Sequence, residues 1–124
     1  MIVHVDTSAL VDALTGPRRS LDTLIRLTDE GHRAVLSTIV LYEWLRGPRT
    51  PQELAAQEEL FPPDAAVPFG PAEATLASRL HEQLPRARGR EIELAVAACA
   101  LAGGGAIWTL NPGDFRDVPG LRLA

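Results

Sequence analysis

The stretch Ile2-Val3-His4-Val5-Asp6-Thr7-Ser8-Ala9-Leu10-Val11 decides how the rest of the chain is read. Its first four residues form a short apolar run rich in β-branched side chains, as expected of a strand buried on both faces. The run breaks at a carboxylate, Asp6, and two hydroxyl residues of the kind that begin helices follow. A strand that passes its chain straight to a helix is the opening of a β-α-β unit. In open parallel sheets, ligands bind in the crevice beyond the carboxyl ends of the strands. The same punctuation returns near the other end, where Ala106-Ile107-Trp108-Thr109-Leu110 runs into Asn111-Pro112-Gly113-Asp114. Two carboxylates at two strand ends suggest a metal site rather than a packing feature.

Between these stretches the pattern alternates helix and strand. A helix from Ser8 ends near Gly16-Pro17. Leu21, Leu24, Ile25 and Leu27 then lie at helical spacing up to Gly31. Residues 33–36 read as a second strand, followed by a helix capped by Ser37 or Thr38 that runs through Leu45 to Gly47-Pro48. Pro51-Gln52-Glu53 opens a helix reaching Leu60. Residues 65–69 read as a third strand, weakened by Pro68 inside it. Pro71 begins a helix to Leu84-Pro85, and a basic loop over 86–90 precedes a helix, 92–102, that is apolar at nearly every position and so buried on most sides. Residues 106–110 make a fourth strand and Leu121-Arg122-Leu123 a short fifth. The expected fold class is α/β, a three-layer sandwich with a central parallel sheet of four to five strands, with residues 1–124 as one domain.

Composition narrows the chemistry. The 46% hydrophobic content and the mean hydropathy near zero are those of a globular chain. No apolar run approaches the ~20 residues needed to span a bilayer, and no cationic segment precedes an apolar one, so neither a membrane span nor a signal peptide is expected. A single cysteine, Cys99, excludes intramolecular disulfides and agrees with a reducing cytoplasm. All 12 basic residues are arginine. Without lysine there is no Schiff base and no P-loop Gly-Lys pair. A formal net charge of −4 argues against broad, charge-driven nucleic-acid binding. It leaves a nuclease open, because bound cations neutralise an acidic pocket in use.

Further acids join the two at the strand ends. Glu43 stands in the otherwise apolar Ile39-Val40-Leu41-Tyr42-Glu43-Trp44-Leu45, and Glu91 and Glu93 head the buried helix. Each has a simpler explanation. Asp6 can cap a helix, Asp114 can serve a turn, Glu43 can face solvent or pair with Arg46, and Glu91 or Glu93 can complement a helix dipole. Residues following both glutamates at helical spacing are apolar, so amphipathicity does not say which faces the sheet. Taken together, two strand ends and two helices reachable from one crevice favour an all-oxygen ligand set, which suits Mg²⁺ or Mn²⁺. Arg86, Arg88 and Arg90 can clamp RNA phosphates beside it or form a solvated loop; Arg46 is a further candidate. His4 reads as a structural histidine with its hydrogen bonds satisfied, Cys99 as core, and Trp44 as core or interface.

The segments Val5-Asp6-Thr7-Ser8-Ala9-Leu10, Tyr42-Glu43-Trp44-Leu45-Arg46-Gly47, Glu93-Leu94-Ala95-Val96-Ala97-Ala98 and Thr109-Leu110-Asn111-Pro112-Gly113-Asp114-Phe115, with Pro119-Gly120-Leu121, occur in an order that resembles the PIN-domain ribonucleases, in particular the VapC-type toxins of toxin–antitoxin systems. The resemblance implies that Asp6, Glu43, Glu93 and Asp114 converge on Mg²⁺ or Mn²⁺ and carry catalysis. It also implies that Thr7, Ser8 and Asn111 support the pocket. It further implies a cytoplasmic homodimer that cuts tRNA or rRNA at single-stranded loops and is restrained by a cognate antitoxin. One departure stands out: the family usually has aspartate where this chain has Glu93. That substitution motivates a second reading, a PIN-like RNA- or protein-binding module with weakened or lost catalysis. A phosphohydrolase using Asp6 as covalent nucleophile is disfavoured by the absence of lysine and by Ser8 where a second aspartate would be expected.

Overall fold

The computed structural model describes all residues, 1–124. Four strands, β1 (Ile2–Val5), β2 (Arg33–Val35), β3 (Ala106–Trp108) and β4 (Arg122–Leu123), form one wholly parallel sheet in the order β2-β1-β3-β4. Six helices flank it: α1 (Thr7–Leu14), α2 (Leu21–Asp29), α3 (Thr38–Arg46), α4 (Pro51–Leu60), α5 (Pro71–Gln83) and α6 (Glu91–Ala102). The result is the three-layer α/β/α arrangement expected from the alternating pattern.

β1 and β3 are the two inner strands, and both are buried almost throughout. Val3, His4 and Val5 are all buried, and Val3 lies opposite Ala34 on one side and Ala106 on the other. Val3 and Val5 share a core with Leu10, Val40, Trp44, Leu94, Ile107 and Phe115. α6 is buried continuously from Leu94 to Ala100 and packs along α5. That environment explains why its sequence is apolar all round. Two glycines make the α6–β3 connection possible. Gly104 adopts φ +67°, and a Cβ on Gly105 would come within 2.8 Å of the Ile2 carbonyl oxygen.

The structure corrects two strand readings. Residues 65–69 do not form a strand: Pro63–Ala65 is a single 3-10 turn, and only Val67 pairs, through one isolated parallel bridge to Ser37 beyond the end of β2. Val67 N–H donates to the Leu36 carbonyl and Thr38 N–H to the Val67 carbonyl. Pro68 then has no N–H with which to extend the ladder. The strand expected over 106–110 stops at Trp108, whose carbonyl accepts from Asp6 N–H at 2.9 Å. Beyond it, Leu110 N–H donates to Ser8 Oγ and Asn111 N–H to Thr109 Oγ1, so side-chain hydroxyls replace the ladder.

His4 is buried within β1, but its Nδ1 finds no hydrogen-bond partner, contrary to the expectation of a satisfied histidine. Burial holds its pKa below the ordinary value. Cys99 is core, as its apolar surroundings suggested; burial first, then the Glu73 charge, push its thiol up to about 11.

Candidate metal centre

Asp6 occupies the N-cap position of α1, yet its side chain makes no capping bond. Its Oδ2 instead accepts from Thr109 Oγ1 at 2.7 Å and Ser8 Oγ at 3.1 Å, leaving Oδ1 free of hydrogen bonds from the protein. Thr109 lies one residue past β3, so the carboxylate is tied to the ends of both central strands. Thr109 also receives Asn111 N–H at 3.0 Å. Sequence reasoning assigned this hydroxyl no role. The available signal was a lone threonine leaving an apolar strand two residues before Asn111.

Glu43 enters from α3, which begins with a working cap: Ser37 Oγ accepts from Val40 N–H. Val40 and Trp44, one turn apart, bury the helix face against the core. Glu43 then lies to one side, with its side chain only 19% exposed. Thr7 Oγ1 donates to Glu43 Oε1 at 2.7 Å, while Arg46 reaches Oε2 at 3.6 Å. Arg46 is 60% exposed, so this ion pair contributes little and is easily exchanged.

Glu93 projects from the first turn of α6. Two residues earlier, Glu91 leaves the helix toward α5, with Oε1 3.9 Å from His81 Nε2. Packing thus separates two glutamates that amphipathicity left equivalent. Asp114 closes the one-turn 3-10 helix Pro112–Asp114. Neither the Glu93 nor the Asp114 carboxylate has a hydrogen-bond or ion-pair partner within the chain.

Asp6, Thr7, Ser8, Glu43, Glu93, Asn111 and Asp114 line one open crevice of ≈ 320 Å³, together with Gly89, Ile92 and Val96. Four acids from four separate elements therefore face one space whose lining is mostly polar. As they stand, no three of them lie close enough together to hold a metal ion jointly. Such an arrangement suits a hard cation that is held by some carboxylates and retains several of its waters, as Mg²⁺ does. With Asp6 Oδ1 and the Glu93 and Asp114 carboxylates unpartnered, the donor set fits a divalent cation.

A family profile described as PIN domain matches residues 3–121. The chain belongs to the PIN-domain family. Solved structures share the fold of this PIN domain end to end. VapBC2 from Rickettsia felis, bound to a DNA fragment from its promoter, aligns with TM-score 0.79 and 21% identity, covering 100% of this chain and 98% of that chain. DNA-bound VapBC from Salmonella typhimurium gives TM-score 0.78 at 18% identity, covering 100% and 97%. FitAcB from Neisseria gonorrhoeae gives 0.71 at 19%, covering 99% and 96%. No curated protein matches the sequence.

The basic candidates of this PIN domain fare differently from one another. Arg86 and Arg88 are exposed on a loop pinned by buried Ala87 and adjoining Gly89 of the crevice, and neither side chain is paired. Arg90, read from the sequence as a possible phosphate clamp, is already committed. Its guanidinium grips Asp117 through two bonds of 2.8 and 2.7 Å. That hydrogen-bonded contact holds the Asp117 carboxyl below the usual carboxylate range. Trp44 is fully buried, with the Arg49 guanidinium 4.1 Å over its ring, so it offers no face for base stacking.

Proposed function

We propose that residues 1–124 form a single PIN-like domain acting as a Mg²⁺- or Mn²⁺-dependent endoribonuclease, the VapC-type toxin of a toxin–antitoxin pair. The observation that carries this reading is the crevice itself: four carboxylates from four elements, most of their oxygens unpartnered, at the carboxyl ends of β1 and β3. Asp6, Glu43, Glu93 and Asp114 would hold the ion. A divalent cation bound there supplies Lewis acidity toward a phosphodiester and the water that attacks it. Ser8 and Thr109 orient Asp6, Thr7 orients Glu43, and Asn111 shapes the rim. The only thiol offers no covalent route, since Cys99 is buried and its thiol is protonated at neutral pH. Arg86 and Arg88, exposed and unpaired beside the opening, would contact RNA backbone, with the exposed Arg46 as a further cation on the rim.

The likeness to solved VapBC structures, and to a toxin–antitoxin complex from Klebsiella pneumoniae, supports a cognate antitoxin as partner. tRNA or rRNA, a homodimeric state and a cytoplasmic setting complete the proposal. No helix is long and apolar enough to cross a membrane.

Purified chain free of antitoxin should cut RNA with Mg²⁺ or Mn²⁺ and stop in excess chelator. Its expression alone should slow bacterial growth, and co-expression of the antitoxin should restore it. Cleavage that continues in chelator would remove the metal from the mechanism. Mn²⁺ binding without any cleavage would favour the binding-module reading, with Glu93 in place of aspartate as its cause.

A further inference from the structure

Arg90 links the two segments that carry the unpartnered acids of the crevice, the turn of Asp114 and the start of α6. It is the residue immediately before α6, whose first turn carries Glu93. Nη1 donates to Asp117 Oδ2 at 2.8 Å and to the Arg86 carbonyl at 3.3 Å. Nη2 donates to Asp117 Oδ1 and to the Asp114 carbonyl, both at 2.7 Å. All four Nη hydrogens are thereby used, and only Nε–H remains. The guanidinium is spent on shaping the protein, which leaves little with which to hold a phosphate.

The turn bearing Asp114 is pegged to the core by Phe115 and Val118, both buried. Apolar contacts are non-directional, so these pegs set the depth of the turn more than the orientation of its peptides. The planar fork between Arg90 and Asp117 is directional. We propose that the Arg90–Asp117 fork is a positioning device for the metal centre, locking the Asp114 peptide against the start of α6 so that Asp114 and Glu93 face the same ion. The inference rests on the reading of the crevice as a metal centre. Arg90 also lies within electrostatic reach of both carboxylates. Asp117 does not line the crevice, so it reports on the device only through Arg90.

The test uses the full chain without RNA. Mn²⁺ affinity is measured by calorimetry, and amide hydrogen exchange is followed in the metal-free protein. Asp117→Ala, and Arg90→Lys, which keeps the charge but loses the fork, should each weaken Mn²⁺ binding roughly 10-fold, as removal of a ligand's supporting partner does. Both should speed exchange at the Asp114, Phe115 and Val118 amides. Affinity within about twofold of wild type for both variants, while Asp114→Asn loses the ion, would overturn the proposal and leave the fork a structural ion pair. A wild-type chain that binds no Mn²⁺ overturns the metal-centre reading instead. The fork is then judged by exchange alone: faster amides in Asp117→Ala support it, and unchanged amides overturn it.

Discussion

The β1–α1 junction and the turn after β3 each present an aspartate at a strand end, but they hold it in different ways. Asp6 is bound at its carboxylate, by the Ser8 and Thr109 hydroxyls, on a junction flanked by the buried residues Val5, Ala9 and Leu10. Asp114 is bound at its backbone, through the Arg90 guanidinium, on a 3-10 turn whose carboxylate is exposed and unpartnered. One carboxylate is held in place by the protein; the other is anchored only through its backbone. In the proposed metal centre, Asp6 would be the pre-oriented ligand and Asp114 the one whose side chain adjusts around the waters that Mg²⁺ retains.

The sharpest way to break this comparison is Asp6→Asn, which keeps the shape and removes the pre-oriented charge. RNA cleavage should fall at least ~100-fold, equivalent to about 2.7 kcal/mol or more of lost charge stabilisation at a metal site. The melting temperature should hold or rise, since a like charge leaves the crevice. Turnover and melting measured on the same preparation decide it, and a fully active, contaminant-free Asp6→Asn protein would remove Asp6 from the ligand set.

Next in size is the contrast across the first turn of α6. Glu93→Gln should eliminate cleavage and weaken Mn²⁺ binding. Glu91→Gln loses only a solvent-exposed contact to His81 and a share of the helix-dipole interaction. It should therefore cost about 0.3–1 kcal/mol and leave turnover intact. Chemical denaturation and cleavage assays on the pair would expose an inverted assignment directly. Glu93→Asp, which restores the residue usual in the family, should retain substantial activity.

The smallest effect concerns what orients Asp6. Thr109→Val keeps the volume but removes the donor to Oδ2 and the acceptor for Asn111 N–H. A loss of about 1.5–3 kcal/mol in stability, typical of one hydrogen bond to a charged group, and a roughly 10-fold fall in cleavage are expected. Equal turnover in Thr109→Val and wild type would show that Asp6 needs no pre-orientation, and the distinction between the two aspartates would collapse.

By itself the sequence determined the α/β class, the parallel order of β-α units and the positions where carboxylates leave strands. These rest on short-range physics: the period of apolar residues, the helix-starting Thr7-Ser8, the cap at Ser37 and the helix-opening Pro51 are all set by neighbours within a few residues. The family resemblance pointed to Glu93, but periodicity was silent because α6 is apolar on nearly every side. Packing of α5 against α6 is what turns Glu91 toward His81 and leaves Glu93 in the crevice. Residues 65–69 had strand-like composition and became a single bridge, since a strand needs a partner ladder as well as suitable side chains. The commitment of Arg90 to Asp117, and of Thr109 to Asp6, joins residues 27 and 103 positions apart. No local pattern encodes such pairs; they exist only because the folded sheet brings the ends of its strands to one place, where hydrogen-bonding groups that would otherwise be hydrated find each other.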